Sequence, residues 1–149
     1  MLSENNFSGP VPKSISTIYR LLLLDLSKNS FSGSEFPAFG ADSLLAFVDI
    51  SSNNFSGNVP AHFGLYTVML SFSQNDFSGP LPENFSNLSM LEHLDLHDNN
   101  ITGEFPAFFS QFSSFSLDSQ PATYFSARIR LLQNPFYRLT RLDIIDKFV

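Results

Sequence analysis

Three potential metal ligands alternate in His93-x-Asp95-x-His97, a spacing that sets all three side chains on one face of an extended strand. A single flat triad offers no fourth ligand and no supporting hydrogen bonds, so a solvated strand face is the better reading and no metal is expected. Asp95 also shares a column with Asp25 and Asp49, a row that would attract a basic ligand. No Ser-His-Asp constellation, thiol or phosphate-cradling glycine loop can be argued. The chain has no cysteine, and its third histidine, His62, falls in a loop position. The expectation is a protein without enzyme activity and without a cofactor.

The elements that would position these residues recur. Asn5, Asn29, Asn53, Asn75 and Asn99 follow one another at steps of 24, 24, 22 and 24 residues. Two residues after each comes Phe7, Phe31, Phe55, Phe77 or Ile101, then Gly9, Gly33, Gly57, Gly79 or Gly103, then Pro12, Pro37, Pro60, Pro82 or Pro106. Ahead of the fifth asparagine runs Leu88-x-x-Leu91-x-x-Leu94-x-Leu96, the cleanest copy of the unit. The pattern L-x-x-L-x-L-x-x-N at this period is the signature of leucine-rich repeats. With N-x-F-S-G-x-x-P following it, the unit resembles the plant-specific repeat class found in receptor-like kinases and kinase-less receptor-like proteins. The resemblance covers residues 2 to about 120.

Leu-x-Leu alternation is a short strand with leucines on one side and variable residues on the other. Stacked copies predict an α/β repeat solenoid: a leucine-rich repeat horseshoe segment with a concave parallel β-sheet and an irregular, 3-10 or short-helix convex side. Each Asn amide, with two donors and two acceptor sites, would turn inward as one rung of a ladder and satisfy backbone groups at the bend. The Phe column would stack from coil to coil, Gly would take positive φ, and Pro would block helix continuation and favour an extended segment before it.

Two domains follow: residues 1–120 as an array of about five to six repeats, and 121–149 as a divergent tail. The first copy is only a second half. The next inserts one residue before Pro37, the third carries Asp42 at an apolar position, and the fourth is two residues short around Phe63-Gly-Leu-Tyr-Thr-Val-Met69, a deletion expected on the convex side. A degenerate copy, Phe109-x-x-Phe112-x-x-Phe115-x-Leu117-x-x-Gln120, ends the array. In the tail, Phe136-x-x-Leu139-x-x-Leu142-x-Ile144 revives the spacing, with Lys147 where Asn belongs. An irregular or helical segment alien to the array is favoured there over a final distorted strand.

Charge is divided unevenly. Residues 1–120 hold 3 basic and 12 acidic side chains, whereas 121–149 hold 5 basic and 2 acidic. An acidic array argues against nucleic-acid binding. No run of 18 apolar residues is present, so no membrane span is expected. Met1-Leu-Ser-Glu-Asn lacks the basic start and apolar core of a secretory signal, and the first copy begins midway, so the chain is expected to lie within a longer array. The resemblance implies flanking caps with paired cysteines, and neither is found. Uncapped ends predict exposed apolar core at both.

The resemblance implies a concave face that binds peptides or proteins, with a co-receptor kinase docking on it or beside it. On that face the candidate residues are Asp25, Lys28, Phe47, Asp49, Met69, Gln74, Glu92, His93, Asp95 and His97. Asp is ordinary at its column in the resembled repeats, which favours a structural part for it. Five N-x-[ST] sequons, at Asn6, Asn54, Asn84, Asn87 and Asn100, are candidates for glycosylation, although those at Asn6 and Asn54 arise from the repeat itself. The expected function is a ligand-binding fragment of a plant receptor-like protein, acting in signalling or defence on the outer side of the plasma membrane. The alternatives are a secreted inhibitor of cell-wall-degrading enzymes and a truncated gene product without a function of its own.

Overall fold

A computed structural model describes residues 2–103 and the strand Arg128–Arg130. The degenerate copy at 109–120, Pro106 and the apolar spacing at 136–147 lie outside the described residues. The chain winds as a solenoid with two sheets. β2 (Leu23–Asp25), β4 (Phe47–Asp49), β6 (Met69–Ser71) and β8 (His93–Asp95) form the concave sheet, all parallel. β1 (Ser8–Gly9), β3 (Ser30–Gly33), β5 (Asn54–Asn58), β7 (Asp76–Gly79) and β9 (Asn100–Ile101) form a second parallel sheet.

The expected alternation sets the concave strands. Leu24, Val48, Leu70 and Leu94 are the middle residues of β2, β4, β6 and β8 and point into the core, as do Leu26, Ile50, Phe72 and Leu96 just beyond. Each such side chain contributes about 2 kcal/mol when fully buried. Thr67 occupies a leucine position and is wholly buried, which its hydroxyl permits by donating to the Leu45 carbonyl at 3.1 Å.

The asparagines hold neighbouring coils together. Asn53 Nδ2 donates to the carbonyls of Ile50 and Ser51 in its own coil and of Leu26 in the coil before, and its Oδ1 accepts the Phe31 N–H at 2.9 Å. Asn29, Asn75 and Asn99 repeat the set, with the inter-coil N–H···Oδ1 contact at 3.0 Å each time. Asn5 makes only the contacts within its own coil, to Leu2 and Ser3. The residue ahead of each asparagine has left-handed backbone, with φ between 53° and 57° at Glu4, Lys28, Ser52, Gln74 and Asp98. This conformation costs about 1–2 kcal/mol per non-glycine residue. It turns the chain while keeping the N–H of Lys28, Ser52 and Gln74 bonded to carbonyls of the next coil.

Phe7, Phe31, Phe55 and Phe77 stack with ring centroids 6.0, 6.3 and 6.1 Å apart. Gly57 in this second sheet has φ +75°, and a Cβ there would lie 2.9 Å from that of Ser34. The two sheets differ in register. In the concave sheet Leu23 faces Phe47 and Met69 faces His93, so equivalent residues lie opposite each other. In the second sheet Gly9 faces Phe31, Gly33 faces Phe55 and Gly79 faces Ile101, a slip of two residues at every step.

The α component of the predicted fold reduces, among the described residues, to two 3-10 turns at Lys13–Thr17 and Glu83–Asn87. The prolines open these turns instead of merely blocking a helix. Pro12 (φ −60°, ψ 130°) and Pro82 (φ −66°, ψ 130°) stand directly before them, where a missing N–H leaves no bond unmade. The two middle coils have no such turn and fill the convex side with Phe36, Phe39 and Phe63, whose rings approach one another and the core ring of Phe72 within 5.8–6.4 Å. The two-residue deletion falls between β5 and β6, outside both sheets, so Phe47 still faces Met69.

The ends differ. At the first coil Leu2 and Phe7 are each 45% exposed, as an uncapped edge predicts. At the other end β10 (Arg128–Arg130) runs antiparallel beside β8, with Arg128 opposite Asp95 and Arg130 opposite His93. Three tail residues thus take the edge of β8 on which a further parallel strand of the array would lie.

Candidate ligand-binding face

On the outer side of the concave sheet the register draws up parallel rows. Leu23, Phe47, Met69 and His93 form the first, and Asp25, Asp49, Ser71 and Asp95 the second. Leu23 and Phe47 are 43% and 44% exposed, which leaves two large apolar side chains facing solvent beside two carboxylates. Past each strand Ser51 and His97 are half-buried while Ser27 and Ser73 are buried, and the left-handed residues Lys28, Ser52, Gln74 and Asp98 make the rim. Glu92 is exposed just ahead of β8, its N–H bonded to Val68.

The aspartates are built into the backbone as well as presented by it. Asp25 Oδ1 accepts from the Ser27 N–H at 3.1 Å and the Ser27 hydroxyl at 2.7 Å. Asp49 Oδ1 does the same with Ser51, at 3.0 and 2.6 Å. In the last coil His97 replaces serine: its N–H lies 3.3 Å and its Nδ1 2.6 Å from Asp95 Oδ1, and its Nε2 lies 3.7 Å from Asp98. These side-chain-to-backbone bonds close an Asx-type turn at the strand end. Partial burial pushes the Asp25 carboxyl up, but hydrogen bonds from the Ser27 hydroxyl and backbone and from Ser3 outweigh it and hold that group below the usual carboxylate range. The signal was available as D-x-S at Asp25 and Asp49, a spacing the sequence reading passed over.

Of the candidate cations and polar groups, Lys28 is engaged by Glu4, whose hydrogen bond and charge hold the ammonium above the usual lysine range. Gln74 accepts from the Ser52 hydroxyl across the rim. His93, Asp95 and His97 share one strand face, and among the described residues no group of three His, Asp or Glu side chains is arranged to hold a metal ion. The five sequons lie off the concave sheet. Asn6, Asn54 and Asn100 follow the ladder positions and Asn84 and Asn87 sit in the second 3-10 turn, all with exposed side chains. A cleft of about 490 Å³ lies elsewhere, on the convex side, between Lys13, Glu35, Phe36, Asn58 and His62. Among the described residues no helix is long and apolar enough to cross a membrane.

The family model for the Leucine Rich Repeat matches residues 20–41, 67–88 and 90–112. No curated protein matches the chain. Among solved structures, the receptor kinase HAESA of Arabidopsis, in complex with the peptide hormone IDA and the co-receptor SERK1, is 29% identical over 72% of this chain and 18% of its own, with a TM-score of 0.66. The BIR2 ectodomain of Arabidopsis thaliana is 30% identical over 73% of this chain and 58% of its own, at a TM-score of 0.65. The leucine-rich repeat ectodomain of the Arabidopsis receptor kinase SOBIR1 is 26% identical over 74% and 60%, at 0.63. The chain thus spans from under a fifth to three fifths of these neighbours.

Proposed function

This chain is an array of leucine-rich repeats similar to those of plant receptor-kinase ectodomains, and on that footing we propose that it is a ligand-binding module of a cell-surface receptor-like protein. It presents the concave sheet to a peptide or protein and acts, with a co-receptor kinase, in signalling or defence on the outer side of the plasma membrane. The observation that carries this reading is the pairing of solvent-facing Leu23 and Phe47 with Asp25 and Asp49 on a sheet whose similar relatives include an ectodomain bound to a peptide hormone. Exposed aromatic and aliphatic side chains beside acids are what a recognition surface needs, since burial on binding supplies affinity and the charges supply orientation. The role is binding, without catalysis.

The exposed sequons support passage through a secretory route, with glycans on surfaces away from the concave sheet. The test is secretion from a eukaryotic host behind a signal peptide, followed by glycosidase treatment and by exposure to a displayed peptide library. The expected results are a loss of mass on deglycosylation and captured peptides that Phe47→Ser no longer retains. An unglycosylated product, or capture indifferent to Phe47→Ser, would count against the proposal.

A further inference from the structure

From the two rows of the concave sheet we infer the chemistry of the ligand: a short extended peptide that crosses the strands with basic and apolar side chains in alternation. The inference rests on the peptide-binding reading above and adds what the peptide must look like. Leu23 and Asp25 leave the same strand on the same side two residues apart, as do Phe47 and Asp49. Along a strand such neighbours are about 6.8 Å apart, and across strands the repeat is about 4.8 Å. A peptide laid across the strands between the rows splays its successive side chains left and right. One set lies along the row of Leu23, Phe47 and Met69 and the other along the row of Asp25 and Asp49, with a same-side repeat of about 6.8 Å in the peptide against about 4.8 Å between strands. Four strands span about 14 Å, which an extended chain covers with about five residues.

Charge selects the sign. Lys28, the cation on the rim beside these aspartates, is already held by Glu4, whereas the Oδ1 of each aspartate accepts from its serine hydroxyl. The serine bonds fix the carboxylates in direction, so they are preorganised for an ammonium or guanidinium. Over Leu23 and Phe47, a charged ligand side chain would be desolvated without a partner, which favours apolar ones there. The other charged candidates do not make a row of this kind: Glu92 is set ahead of its strand, and Asp95 is shared with His97.

The probe is a labelled peptide alternating arginine and leucine over about seven residues, offered to the full chain and followed by fluorescence anisotropy. Block and glutamate peptides of the same length serve as comparisons, the first with all arginines before all leucines, the second with glutamate for arginine. Expected are binding of the alternating peptide about tenfold or more tighter than the block peptide, no binding of the glutamate peptide, and weakening by salt. Asp25→Asn with Asp49→Asn, and separately Leu23→Ser with Phe47→Ser, should each weaken it by about tenfold or more, while Lys13→Ala on the convex side leaves it unchanged. Equal affinity for the alternating and block peptides, or indifference to either double substitution, would overturn the inference. The displayed library separates the two levels. Captured peptides that depend on Phe47 but carry no basic alternation refute this inference and leave peptide binding standing, whereas no Phe47-dependent capture refutes both.

Discussion

Asn75→Ala tests the ladder where it is most enclosed, because Asn75 is the one rung that is fully buried, at 8% exposure. Its Nδ2 donates to the carbonyls of Ile50, Phe72 and Ser73, and its Oδ1 accepts the Phe55 N–H at 3.0 Å. The four groups do not suffer equally when the amide is removed. Ile50 keeps a donor in Asn53 Nδ2, Phe72 in Asn99 Nδ2, and Ser73 in the Ser52 N–H. The Phe55 N–H loses its partner inside the core, at a cost of about 1–3 kcal/mol, and each of three shared carbonyls loses a second bond at about 0.5 kcal/mol. The expected loss is therefore about 3 kcal/mol, read from urea titrations followed by far-UV circular dichroism at unchanged m. Asn75→Asp restores an acceptor for Phe55 but turns a carboxylate toward three carbonyls, and should be no more stable than the alanine variant. His93→Ala, on the outer side of β8, should cost less than about 1 kcal/mol, and Asn99→Ala should fall with Asn75→Ala. A loss at Asn75 below about 1 kcal/mol, or equal to that at His93, would refute the accounting.

Other substitutions separate conformational cost from packing. Gly57→Ala should destabilise by about 2 kcal/mol and Gly9→Ala by about 1, since both have positive φ but only Gly57 would press its Cβ on Ser34, a difference that thermal melts resolve. Phe55→Ala, inside the ring stack, should cost about 3–5 kcal/mol by denaturant titration, while Phe7→Ala, at the open end, should cost less than about 1. Asp25 has a folded pKa below its unfolded one. Its contribution is complete above the unfolded value of about 3.9 and is lost as pH falls through the folded one. Asp25→Asn should therefore lower stability at neutral pH and flatten the acid limb of a pH series of melts, and an unchanged limb would remove Asp25 from the account.

What could be read from the sequence was whatever one residue type must do in every coil. An amide that satisfies an N–H and three carbonyls at once admits no substitute, so Asn29, Asn53, Asn75 and Asn99 stand out as a column, and the leucines ahead of them disclose the concave strands. The left-handed corner carries no single residue type: Glu4, Lys28, Ser52, Gln74 and Asp98 share a φ and polarity but range over acidic, basic and neutral side chains, so no column stands out. The second sheet was hidden for a similar reason, because its pairing is carried by backbone around Phe-Ser-Gly and its slip of two residues breaks the alignment of like with like. Of the candidate face, the exposed rows follow from alternation alone. The fastening of Asp25 and Asp49 by their serines needed coordinates to be noticed. β10 lies in a part of the tail where Arg128–Arg130 offers too short a run for any periodicity to register.

The unequal register of the two sheets has a geometric consequence. Coils that stack like on like along one side and slip by two residues along the other cannot be related by pure translation or by a planar arc; each must also be rotated about the axis of the stack. Successive coils then trace a screw, and the exposed rows of the concave sheet follow it as a spiral ramp. Anything laid along several of these coils would have to wind with that ramp.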